Sequence, residues 1–128
     1  MSSSKGLDPH MRYNELEDGR IKITFKIPNL EKSNNPHVPK NGSADCHFYQ
    51  SGMSMLMECT VNKGKKQELF YQKNIRQFPS KVSKLEWSIV KEYIVVYLEK
   101  FDANISWKKA FEKNGLDQIS SSESSESD

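Results

Sequence analysis

The clearest pattern in the chain is an alternation of apolar and polar residues with a period of two. In segment 21–27, isoleucine or phenylalanine occupies every odd position, and lysine or threonine occupies every even one. Successive side chains of a β-strand point to opposite faces. The segment is therefore predicted to be a strand with one buried and one solvated face. The Pro28-Asn29 pair that follows is predicted to end it.

Similar short apolar segments recur between turn signals. The further predicted strands are Cys46–Tyr49, Met53–Val61, Glu68–Gln72, Leu85–Ile89 and Tyr93–Glu99. Turns are predicted at Ser51-Gly52, Asn62–Lys65 and Val90–Glu92, and Gly64 is expected to supply the positive φ of a hairpin. Segment 31–45 is predicted to be a long polar loop, and only Trp107–Lys113 has helical character.

This succession of elements indicates the fold class. Six or seven short strands with tight turns and no long helix are typical of an all-β antiparallel sandwich. Parallel α/β folds need a crossover connection, usually a helix, between strands. No helix of that length lies between the predicted strands, so the pattern excludes such folds.

The two ends of the chain lack the alternation seen in the middle. Residues 1–11 show no periodicity and are expected to be a disordered leader; His10-Met11 also fits the junction left by a cloning remnant. Residues 120–128 are only Ser, Glu and Asp, which cannot bury enough apolar surface to offset the entropy of ordering. We predict a leader at 1–11, one folded domain at 12–115, and an acidic serine-rich tail at 116–128.

The ends also account for an unusual composition. The chain of 128 residues is 35% hydrophobic with a mean hydropathy of −0.78. Its net charge of +2 conceals a division, because the segment after Gly115 holds four acids and no base. Residues 1–115 therefore contain all 19 basic residues and only 13 acidic ones. The predicted protein is a basic body with an acidic tail.

The tail contains two candidate phosphorylation sites. Ser120 and Ser125 each have an acid three residues later, which is the spacing that acid-directed kinases read. Each phosphate would add about −1.5 to −2 charges. One hypothesis is a tail that folds over the basic face, or competes with an acidic partner, when phosphorylated. The alternative is an unregulated solubilising tail.

The sequence excludes several locations and classes of function. No apolar run approaches the length of a membrane span, and no apolar segment follows Met1 as in a secretion signal. Cys46 and Cys59 are therefore expected to be reduced thiols in a cytoplasmic, or also nuclear, protein.

No arrangement of residues indicates catalysis. Cys46 and His47 are adjacent, so on a strand they point to opposite faces and cannot form a nucleophile–base pair. No metal-ligand spacing or glycine-rich phosphate loop is present, so no enzyme activity, metal or cofactor is expected. A stripe of Met53, Met55 and Met57 is interpreted as core more readily than as a client-binding surface, and Trp87 is also predicted to be core.

The C-terminal half carries a more specific pattern. Strand 85–89 contains Trp87-Ser88, and after a turn the apolar strand 93–100 ends in Leu98-Glu99-Lys100, with Trp107 a few residues later. This pattern resembles the CS domain, the seven-stranded β-sandwich of NudC-type proteins and of a small co-chaperone of heat shock protein 90. The order of the earlier strands agrees, so the resemblance covers about residues 13–111. Tyr13-Asn14 departs from the family's usual opening, and loop 31–45 is longer than usual.

The resemblance implies a function and a site. It implies a monomeric, non-enzymatic, co-chaperone-like module that binds heat shock protein 90 or its client complexes through a face formed by the early and late strands. Lys100 matches a lysine of that face, Lys26 stands where some members have an aromatic residue, and Tyr13 could supply a nearby ring. Phe101 and Trp107 match a second docking edge. The alternative for Trp107 is that it caps one end of the sandwich.

Two other functions stay open. A NudC-like adaptor for dynein-associated complexes would not bind the chaperone directly, and the missing aromatic residue at Lys26 favours it slightly. A nucleic-acid-binding β-sandwich is less favoured, because the basic groups are spread out and include only three arginines.

Overall fold

The computed structural model describes residues 6–64 and 67–118, and within them the predicted antiparallel β-sandwich is confirmed. The elements in chain order are β1 (His10–Glu15), β2 (Ile21–Lys26), β3 (Gly42–Tyr49), β4 (Ser54–Lys63), β5 (Gln67–Ile75), β6 (Val82–Val90), β7 (Tyr93–Lys100) and α1 (Lys108–Asn114). One sheet has the order β1-β2-β7-β6 and the other has the order β3-β4-β5.

The core lies between the two sheets and is built from one parity of each strand. The odd residues of β2 and the even residues of β7 face inward from the four-stranded sheet, and Met55, Met57, Cys59 and Val61 of β4 face them. The prediction that the methionine stripe is core is confirmed for Met55 and Met57. Met53 instead lies in the turn before β4.

Trp87 packs against the core but is only half-buried, because it lies on an edge strand. The 31–41 loop covers the open side of this ring. His37 lies 4.8 Å from Trp87 between ring centroids, and its Nε2 lies 2.9 Å from the Trp87 carbonyl oxygen. The amide of Ile89 donates to the Pro36 carbonyl at 2.8 Å. The loop therefore provides hydrogen-bond partners for some of the backbone groups on the free edge of β6.

Strand β3 begins earlier than predicted, which shortens the loop before it. Gly42 already pairs with Val61 of β4. A Cβ atom at this position would lie 1.8 Å from the Thr60 carbonyl oxygen, so the close approach of the two strands requires glycine. The polar residues of this segment gave no alternation from which the early start could be predicted.

The predicted leader is wrong for residues 6–11. Leu7 donates its amide to the Phe70 carbonyl at 2.8 Å and accepts from the Gln72 amide at 3.0 Å. Pro9 is buried, and β1 begins at His10. Backbone hydrogen bonds to β5 and pairing with β2 order this segment. A hydrophobic pattern does not detect either interaction.

The predicted boundary at residue 115 is also too early. Leu116 is buried, and the Asp117 carboxylate accepts backbone hydrogen bonds from Arg76 at 3.0 Å and Gln77 at 3.1 Å. The amide of Gln118 donates to the Gln77 carbonyl at 2.8 Å. The start of the tail is thus attached beside the end of β5. Ser120 and Ser125 lie outside the described residues.

A buried ion pair closes one end of the sandwich. Lys100 Nζ lies 2.7 Å from Glu15 Oε2, and the two side chains are 2% and 8% exposed. The second carboxylate oxygen accepts from the Ser106 hydroxyl at 3.0 Å and from the Trp107 amide at 2.9 Å. Lys100 also donates to the Ile105 carbonyl. One pair of side chains therefore joins β1, β7 and the segment before α1.

The charge state of Glu15 follows from this environment. Burial alone would raise the pKa of Glu15. Hydrogen bonds from Lys100, Trp107 and Ser106, with the charge of Lys100, outweigh burial and hold the pKa below its ordinary value. The carboxylate is therefore ionised at neutral pH and stabilises the fold in that form.

We expect Lys100→Met to lower the free energy of unfolding by about 3–5 kcal/mol, because it leaves the Glu15 carboxylate buried without its cation. Lys26→Met is the matched control. Its ion pair with Glu92 spans 3.5 Å between half-exposed side chains and should contribute less than about 1 kcal/mol. Urea denaturation of both variants provides the comparison. Equal losses would show that burial of the Lys100 pair is energetically unimportant.

The lowered pKa of Glu15 also predicts a dependence on pH. Protons bind more readily to the unfolded chain than to the folded one, so this stabilisation is complete above about pH 4.5 and is lost as the pH falls through the folded pKa. The difference in unfolding free energy between wild type and Glu15→Gln should therefore shrink on acidification. A difference that is constant from neutral to acidic pH would contradict the assignment.

Candidate interaction face

The outward parity of the four-stranded sheet forms a shallow depression of about 450 Å³. We call this surface the outer basic face. Its lining residues are His10, Arg12, Lys22, Thr24, Lys26, Val90, Tyr93 and Val95. Tyr97 extends the outer basic face along β7, because Tyr97 pairs with Lys22 of β2.

The strand register arranges these side chains in rows across the sheet. His10, Lys26 and Tyr93 form one row, because His10 pairs with Lys26 and Lys26 pairs with Tyr93. Arg12, Thr24 and Val95 form the next row in the same way. A third row contains Asn14, Lys22 and Tyr97. Basic groups therefore lie on β1 and β2, and tyrosines lie beside them on β7.

Cations and tyrosine rings are in contact on this face. Lys26 Nζ lies 5.0 Å from the centroid of the Tyr93 ring, Lys22 Nζ lies 6.0 Å from that of Tyr97, and the Arg20 guanidinium lies 5.1 Å from the same ring. Such cation–π contacts contribute about 0.5–1 kcal/mol at exposed sites. They hold the lysine ammonium groups over the sheet.

The positive charge of the face is only partly neutralised. Lys26 is paired with Glu92, and Arg20 with Asp18 at 2.9 Å. Neither Arg12 nor Lys22 forms an ion pair with another residue of 6–64 or 67–118. The part of the face nearest the edge strand β1 is thus free to attract an anionic ligand.

Of the five partner-binding residues predicted from the sequence, Lys26 lies on this face. Tyr13 belongs to the inward parity of β1, and its ring contacts Phe111 edge-on at 4.7 Å between centroids. Phe101 is 66% exposed, but it follows the end of β7 opposite to Tyr93. The structure therefore does not bring the predicted residues together.

The largest difference from the predicted docking face concerns Lys100. The resemblance places this lysine on a docking face, but it is buried and bound to Glu15 and the Ile105 carbonyl. A partner could reach its ammonium group only by breaking these interactions. The alternation along β7 already indicates this burial, since Lys100 has the same parity as the inward residues Ile94, Val96 and Leu98.

Trp107 is also unavailable to a partner. It is fully buried, it donates from Nε1 to the Ser80 hydroxyl at 2.8 Å, and it stacks on Phe78 at 5.6 Å between ring centroids. Of the two interpretations considered, capping of the sandwich fits these contacts. Phe101, by contrast, remains accessible beside Lys81, whose ammonium lies 4.6 Å from the ring centroid.

Sequence reasoning missed most of the outer basic face, although the signal was available. Lys22 and Thr24 were identified as the solvated side of β2, and Tyr93 and Tyr97 have the parity opposite to the inward residues of β7. Their juxtaposition depends on the pairing of β2 with β7, which are distant in sequence. Arg12 was missed because no strand was predicted before Ile21, so this first residue of the predicted domain was assigned to no sheet.

The described residues contain few features that indicate other chemistry. No group of three or more His, Cys, Asp or Glu side chains in 6–64 and 67–118 is arranged to hold a metal ion. No helix in this part of the chain has the length and hydrophobicity needed to cross a membrane. His47 is exposed and lies 3.1 Å from Asp45, on the surface opposite to the buried Cys46.

Comparisons with known proteins give no further guide. No protein-family model matches the chain, and no curated protein matches it. The likeness to CS domains thus rests on the motif from Trp87 to Trp107 and on the order of strands.

The two cysteines are expected to be unreactive in the folded protein. Cys46 and Cys59 are free and buried, with 5% and 1% of their surfaces exposed. Burial raises the pKa of Cys59 to about 12; burial, followed by the charge of Asp45, raises that of Cys46. Reaction with a disulfide reagent at about pH 8 should be slow in the native protein and fast after unfolding in urea. A rapid native reaction of either thiol would show that the core is open at that site.

Proposed function

We propose that this protein is a non-enzymatic, co-chaperone-like interaction module that binds an acidic protein surface through the outer basic face. The observation that supports the proposal is that Arg12 and Lys22, which have no ion-pair partner among the described residues, line one depression with Tyr93. Lys22 also pairs across the sheet with Tyr97. Arginine and tyrosine are enriched at the centres of protein interfaces. The face is a depression rather than a flat surface, which favours insertion of a partner's side chains.

The resemblance to CS domains suggests which partner to test. The expected partner is heat shock protein 90 or a client complex of that chaperone. A NudC-like adaptor would use the same kind of face for a dynein-associated complex without the chaperone. In both cases, complementary charge would accelerate association and select against basic partners.

Nucleic acid is a second candidate because the outer basic face interleaves cations with tyrosine rings. Single-stranded nucleic acids bind to such surfaces by phosphate contacts and base stacking. The positions of Lys26 over Tyr93 and of Arg20 over Tyr97 disfavour this function, since the cations already occupy the ring faces on which bases would stack. The proposal therefore gives priority to a protein partner.

We expect the double variant Arg12→Glu/Lys22→Glu to bind purified heat shock protein 90 about tenfold or more weakly than wild type, because like charges would face each other across the interface. Calorimetry or surface plasmon resonance measures the affinity. Lys109→Glu is the control, since it reverses a single charge on the exposed surface of α1. Its affinity should stay within about twofold of wild type.

The outcomes separate the alternatives. Equal loss in the double variant and in Lys109→Glu would contradict recognition by the outer basic face. Binding to a dynein-associated complex but not to the chaperone would support the adaptor instead. Binding to single-stranded oligonucleotides that weakens log-linearly with salt, with no binding to either protein, would overturn the proposal in favour of nucleic acid.

A further inference from the structure

The acidic tail leaves the described part of the fold beside the edge strand β1. Asp117 is held by the amides of Arg76 and Gln77, and Gln118 by the Gln77 carbonyl. Leu116 and Asp117 line the same groove as Met11 and Tyr13 of β1. Arg12 lies between Met11 and Tyr13 in β1, and its side chain points to the opposite surface of the strand. The start of the tail is thus separated from Arg12 by the thickness of one edge strand.

The remaining chain is long enough to cross this edge and cover the face. Residues 119–128 span at most about 33–36 Å when extended. Moving from β1 to β7 takes two inter-strand steps, or about 10 Å. The route meets no further strand, because β1 forms the edge of its sheet.

The charges of the two elements are complementary. Residues 119–128 contain three acids and no base among six serines. Two cations that line the groove at the start of the tail are already paired. Lys73 is paired with Asp8 at 3.2 Å, and the Arg76 guanidinium lies 3.8 Å from Asp117. On the outer basic face, Arg12 and Lys22 have no such ion-pair partner among the described residues.

We propose that residues 119–128 bind the outer basic face of the same chain and compete there with the acidic partner. The inference rests on the proposed function for the identity of the site, but docking of the tail does not require the partner to be heat shock protein 90. Phosphorylation of Ser120 and Ser125 would add about −1.5 to −2 charges each to the docked segment. This added negative charge strengthens the contact between the tail and the outer basic face, so the face is less available to the partner.

A nitroxide spin label attached at Ser125→Cys in the full chain tests this placement. Cys46 and Cys59 are buried, so labelling under native conditions is directed to the new thiol, and mass spectrometry checks that one label is present. In the amide spectrum, the signals of Arg12, Thr24 and Val95 should lose intensity and recover when the label is reduced. Leu56 and Glu58 lie on the outer surface of the other sheet and should be unaffected.

Charge dependence provides the control for specificity. The intensity losses should disappear in Arg12→Glu/Lys22→Glu and in about 1 M salt, where the Debye length is near 3 Å. They should persist in Lys109→Glu, and they should deepen after an acid-directed kinase has phosphorylated Ser120, the candidate site that the label leaves intact. Equal broadening of both sheets, broadening confined to α1, or losses that survive the double reversal would each overturn the inference.

The measurement is made without any partner, so a negative result would contradict docking of the tail without contradicting the proposed function. If the tail does not broaden the face but the double reversal abolishes partner binding, the face is confirmed and intramolecular competition is excluded. If the tail does bind but the partner ignores the reversal, the tail contact is retained and the partner site lies elsewhere.

Discussion

The buried pair of Glu15 and Lys100 is the interaction on which the arrangement of this sandwich depends most. It joins the first strand, the last strand and the backbone that leads into α1. A lone charge at either position would be strongly disfavoured in the interior. Mutual pairing and the surrounding hydrogen bonds satisfy both groups. Trp107 is thereby fixed in position to cover Phe78 at the end of the core.

This constraint also determines which charges remain for recognition. The lysine that a family pattern assigns to a docking face is used inside the fold, so the surface chemistry is supplied by the other parity of the strands. Because side chains alternate strictly along a strand, the residues that build the core position Arg12, Lys22 and Tyr97 outward in register. The alternation of side chains along each strand therefore determines both the core and the candidate binding face.

How much could be predicted from the sequence depended on how local the signal was. The alternation at 21–27, the inward residues of β7 and the hairpin glycine Gly64, with φ of 74°, were all predictable from neighbouring residues. The ordering of residues 6–11 and the capping role of Asp117 were not, since both depend on backbone groups far away in sequence. Leu7 bonds to Phe70 and Gln72 of β5, and Asp117 accepts from the amides of Arg76 and Gln77, 41 and 40 positions away. The inward parity of Lys100 follows from the alternation of β7, but its ion-pair partner Glu15 is 85 positions away and was not predictable from local pattern.

The outer basic face, rather than the Phe101 end of the sandwich, is the surface that we propose contacts the partner. The most direct test of this contact is a titration of the isotope-labelled chain with purified heat shock protein 90, followed by the backbone amide spectrum. We expect the perturbations to concentrate at Arg12, Thr24 and Val95, with little change at Ile105. Perturbations concentrated at Phe101 and Ile105, with Thr24 unchanged, would contradict it.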